Sequence, residues 1–97
     1  MGHSIHKVQS FTLLDGYTVR VELEDGASQV VDLEQILRGE LYGPLRDLSL
    51  FRQVRIDPEA HTLVWPNGAD FDPATLRDWP NVRQQFAAMA AQWETNG

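Results

Sequence analysis

Two carboxylates, Asp70 and Asp72, flank Phe71 in the run LVWPNGADFDP (Leu63–Pro73), and His61 lies just upstream. Paired carboxylates can divide acid and base roles when their surroundings separate their pKa values, or they can hold a hard cation through oxygen. With His61 beside them, the chemistry would be hydrolase-like or metal-dependent. The spacing lacks the alternating aspartates, glycine and distal glutamate of a calcium loop, and no glycine-rich phosphate cradle occurs. His61 near Glu59 is a histidine–carboxylate pair without a nucleophile, since Ser4, Ser10, Ser28 and Ser49 sit outside any nucleophile-elbow context. His3 and His6 have a spacing that two metal ligands could use on a helix, but residues 1–6 read as a flexible terminus.

The same run has a structural reading. Pro66 presets φ for a turn, Asn67 tolerates unusual backbone angles, and Gly68 carries no steric penalty. Asp72-Pro73 has the form of a helix start, an aspartate cap followed by proline at the first helical position. Asp70 could accept bonds from the turn's own N–H groups. Trp65 and Phe71 should be buried, and the Trp65 indole then needs an acceptor. Trp65, Pro66, Asn67, Gly68, Asp70, Phe71 and Asp72 are therefore expected to build a rigid corner, one a protein partner could read. No catalytic, metal or cofactor-binding residue is assigned.

The surrounding elements follow from periodicity. YTVRVELE alternates, with Tyr17, Val19, Val21 and Leu23 on one face and Thr18, Arg20, Glu22 and Glu24 on the other. Asp15-Gly16 and Asp25-Gly26 bracket it with hairpin dipeptides. With VQSFTLL before and SQVVDL after, the pattern predicts a three-stranded antiparallel meander. Asp32 should cap a helical turn over LEQILR that ends at Gly39, ELYGPL reads as a loop, and Asp47 should cap a turn over DLSLFRQ with Leu48, Leu50 or Phe51 facing inward. QVRID and TLVWP form a second hairpin around Pro58–His61. A C-terminal helix over about 81–95 places Val82, Phe86, Met89, Ala90 and Trp93 on one face. That stripe closes the core or, through Phe86, Met89 and Trp93, meets a partner or a second subunit.

Residues 7–97 thus read as a single α+β domain, within the size range of one modest core. The absence of cysteine removes disulfides, thiolate metal sites and thiol nucleophiles, and fits a reducing compartment. Eight Lys+Arg against fourteen Asp+Glu give a formal charge of -6, which argues against nucleic acid and anionic membrane surfaces as partners. Arg46, Arg52 and Arg55 are the one candidate basic patch. No apolar run is long enough to span a bilayer, and the first residues lack the pattern of a signal peptide, so a cytoplasmic protein is expected.

The LDGY and LEDG turns, VVDLEQIL, LRDLSLFRQV and above all VWPNGADFDPATL follow one another in an order that resembles the bacterial domain of unknown function 2442 family, over roughly Lys7 to Trp79. The resemblance implies a compact α+β fold and supplies no catalytic residues. Some members of that family carry an appended helix-turn-helix, and stand-alone members are discussed as antitoxin-like partners of another small protein. Pro80–Gly97 is long enough for one helix and too short for a helix-turn-helix, which weighs against a DNA-binding regulator. The expected function is a non-enzymatic protein-interaction module, antitoxin-like or regulatory and without a cofactor, with hydrolase-like or metal-dependent chemistry at Asp70, Asp72 and His61 as the alternative.

Overall fold

A computed structural model describes residues 7–95. Strands β1 (Val8–Leu13), β2 (Thr18–Leu23) and β3 (Ser28–Asp32) form an antiparallel sheet in the order β1-β2-β3. Both Asp-Gly turns work as their composition predicts: Gly16 and Gly26 take φ of 61° and 92°, a region that only glycine enters without steric cost. Val19, Val21 and Leu23 are buried, whereas Arg20 and Glu22 face solvent. The register pairs Phe11 with Val21 and Val21 with Gln29, and a bulge falls between Val8 and Ser10.

Strands β4 (Arg55–Ile56) and β5 (Leu63–Val64) form the second hairpin. His61 closes its turn at φ 54°, donating its backbone N–H to Asp57 O, while its carbonyl accepts from Val8 N at 2.8 Å. The small hairpin is thereby tied to the start of β1. His61 is half-buried rather than fully exposed.

Between the sheets the chain is more helical than its composition suggests. The 3-10 turn over Glu34–Ile36 has Leu33 at its N-cap rather than Asp32, whose Oδ1 accepts from Glu34 N at 3.1 Å just ahead of it. Gly39 opens the next helix instead of closing this turn. ELYGPL is not a loop: it forms α1 (Gly39–Tyr42) followed by a 3-10 turn over Gly43–Arg46. Proline is admissible there because it lies in the first turn, where its missing N–H has no intrahelical acceptor to lose. Helix α2 (Leu48–Phe51) is capped by Asp47 Oδ1, with Phe51 buried and Leu48 turned to solvent.

Helix α3 (Pro73–Arg77) packs on β3, where Gln29 Nε2 donates to Arg77 O and Arg77 pairs with Asp25. Helix α4 runs from Trp79 to Thr95, two residues earlier than the periodicity suggests. Asp78 O accepts from Asn81 N and Val82 N, which lets Pro80 sit inside the first turn. The core lies between the inner sheet face and these helices, around Val19, Val31, Leu33, Phe51, Trp65, Leu76 and Ala90.

Candidate functional site

The corner begins as a tight turn. Gly68 N bonds Trp65 O and Trp65 N bonds Ala69 O, both at 2.9 Å, so Trp65–Gly68 is a β-turn inside a short hairpin loop. Gly68 alone takes positive φ, 90°; Asn67 keeps an ordinary φ, contrary to the expectation for it. This is a type I turn followed by a left-handed glycine, a geometry that tolerates Pro66 at its first central position.

Asn67 acts through its side chain instead. Its Oδ1 accepts from Ala69 N at 3.2 Å, and its Nδ2 donates to Leu41 O at 2.9 Å. The role expected of Asp70, accepting from the turn, thus falls to Asn67. The Asp70 contribution is its backbone oxygen, which accepts from Tyr42 Oη at 2.8 Å, while its carboxylate faces solvent. Asp72 caps α3 through Ala74 N at 2.9 Å. Trp65 is 1 % exposed, and its indole donates to Phe51 O at 2.8 Å. Thr62 Oγ1, itself buried, donates to Phe71 O.

The candidate acid–base residues are therefore committed unequally. Asp72 is a cap, His61 is held by backbone bonds, and among the described residues no group of three or more His, Cys, Asp or Glu is placed to hold a metal ion. His3 and His6 lie outside the described residues. The basic candidates Arg46, Arg52 and Arg55 are all exposed, and Arg46 spends its Nε on Leu37 O at 2.8 Å.

Corner and terminal helix meet through Tyr42, which lies in a segment whose Gly-Pro pair predicts a loop. Its ring stacks on Phe71 at 5.0 Å and on Trp93 at 5.6 Å between centroids, and it meets Phe86 edge-on. Burial pushes the Tyr42 phenol pKa up, and the nearby Asp70 charge adds to the shift. Phe86 and Trp93 are half-buried in this cluster, but Met89 is 53 % exposed and does not join it. On a helix of 3.6 residues per turn Met89 lies at the margin of the stripe, away from its Phe86–Ala90–Trp93 centre.

Outside the cluster lies an open groove of about 420 Å³, lined by Arg38, Gly39, Glu40, Leu41, Tyr42 and Trp93 and predominantly apolar. Its floor depends on Gly39, whose φ is 78° and whose missing Cβ would stand 3.0 Å from Trp93 Cβ. Leu41 stands 45 % exposed beside it.

These features define a small α+β domain of acidic composition that carries one braced corner and, next to it, an apolar groove. The sequence model of the family described as proteins of unknown function, DUF2442, matches residues 8–81, and the chain belongs to that family. No curated protein and no solved structure matches it. Among the described residues no helix is long and apolar enough to cross a membrane.

Proposed function

We propose that this chain is a non-enzymatic, cytoplasmic protein-interaction module, an antitoxin-like or regulatory partner of another small protein. The observation that carries the reading is the open groove at Leu41, Tyr42 and Trp93. It is apolar and aromatic, as interface centres are, and it is rigidly backed by the Asn67–Leu41 and Tyr42–Asp70 bonds. The corner residues serve this surface as its support. A formal charge of -6 favours a basic partner, chiefly through association rate and selectivity. The antitoxin-like role rests on the family resemblance.

The test compares tagged wild-type protein with Leu41→Glu, an exposed position, in pull-downs from native cells. One protein recovered in stoichiometric amount with the wild type and lost from a folded Leu41→Glu variant is the expected result. Absence of a stoichiometric protein, or its retention by the variant, overturns the reading.

A further inference from the structure

Among the described residues strand β1 pairs only with β2. Its backbone groups alternate between the two sides. Leu14 N bonds Thr18 O, so Thr12 and Ser10 also face β2. The N–H and C=O groups of Leu13 and Phe11 then point away from it, towards the outer edge. Val8 also points outward, across the bulge, and its N–H is taken by His61 O. No described backbone group bonds the outward groups of Phe11 or Leu13.

This edge lacks the protections that keep strands from pairing. From Val8 to Leu14 it contains no charge and no proline, and its bulge lies at the end already covered by His61. Phe11 and Leu13 are only half-buried, and Leu14 is exposed. The opposite edge, β3, is tied to α3 through Gln29 and Arg77.

We infer that β1 is a self-pairing edge, at which two copies of this chain join antiparallel about a two-fold axis through Thr12. In that register Phe11 of one copy faces Leu13 of the other, and the two pairs exchange all four outward N–H···O bonds. The half-buried Phe11 and Leu13 side chains then meet on the core side, and the exposed Thr12 side chains meet on the solvent side, a favourable cross-strand pair. Charge supports a second copy over a parallel guest. Lys7 and Asp15 stand at opposite ends of the uncharged run, so antiparallel pairing brings the cation of one copy to the end carrying the other's carboxylate. The result is a continuous six-stranded sheet with isologous contacts.

The test is sedimentation velocity on the full chain over a range of concentrations, with hydrogen exchange of individual amides at the two extremes. The wild type should move towards twice 11.0 kDa as concentration rises. Phe11 and Leu13 amides should gain protection with concentration, while Thr12 stays protected throughout. Thr12→Lys, at an exposed position, sets two cations across the axis and should shift the protein to monomer with its fold intact by circular dichroism. Leu13→Pro removes an outward N–H and leaves the β2 ladder bonds in place. It also trims a half-buried side chain, so circular dichroism must show its fold retained, and it should then do the same. A wild type that stays monomeric, a dimer whose Phe11 and Leu13 amides exchange freely, or a Thr12→Lys variant that still dimerises would each overturn the inference.

Discussion

At the scale of single residues, Asp70 and Asp72 make opposite contributions although they are alike in type and two positions apart. The Asp72 carboxylate supplies the first turn of α3 with an acceptor, so Asp72→Ala should lower unfolding free energy by about 0.5–2 kcal/mol. Asp70 works through its main chain, which any residue retains, and Asp70→Ala should stay within about 0.5 kcal/mol of the wild type. Urea denaturation of the two variants checks the pair, and equal losses would contradict this division of roles. Gly39 is the stricter constraint. Gly39→Ala would hold an L-residue in the left-handed region and press its Cβ on Trp93, costing about 1–3 kcal/mol on the same assay. The Asp72 cap is legible in the sequence because an Asp-Pro start is a local signal. The Gly39 constraint is not, because the crowding partner, Trp93, lies in a distant helix.

Elements show the same boundary between local and distant causes. The meander was legible because alternation and Asp-Gly turns each act within a few residues, and the observed pairing agrees with them. Helix α1 was not, because Gly39, Gly43 and Pro44 all look like breakers; here they separate turns of four residues, each too short to be broken from within. Their stability comes from packing, chiefly of Tyr42 against Phe71 and Trp93. The α4 periodicity predicts one apolar face, but packing divides it. Trp93→Ala removes a stacked partner of Tyr42 and the wall behind Gly39, and should cost about 2–4 kcal/mol, somewhat below the range for fully buried aromatics. Met89→Ala should change stability by less than about 0.5 kcal/mol. Denaturation midpoints at two protein concentrations measure both and separate folding from association. A Met89→Ala loss as large as that of Trp93→Ala would show that the helix face is centred elsewhere.

For the molecule as a whole, charge and burial set opposite limits on the pH range of stability. Asp57 is held below the usual carboxylate range by the backbone N–H groups of Glu59 and Ala60, and Asp25 by the N–H of Ala27 and then by Arg77. Carboxylates with lowered folded pKa values stabilise the fold above their unfolded values, about 4, and that contribution disappears as pH falls through the folded ones. Both lie in hairpin turns, so acid should loosen the two hairpins. Tyr42 sets the alkaline side. Its raised pKa means that its contribution is complete below the ordinary tyrosine value, about 10, and falls as pH rises through the folded one. The unfolded chain ionises first, and the folded chain must keep the phenol neutral to donate to Asp70 O. Tyr42→Phe should therefore cost about 0.5–1.5 kcal/mol at neutral pH, the worth of that bond, and show a shallower decline than the wild type above about pH 10. Denaturant midpoints of both proteins from neutral to alkaline pH provide the comparison. If the two alkaline slopes coincide, the Tyr42 phenol is not the group that sets the alkaline limit.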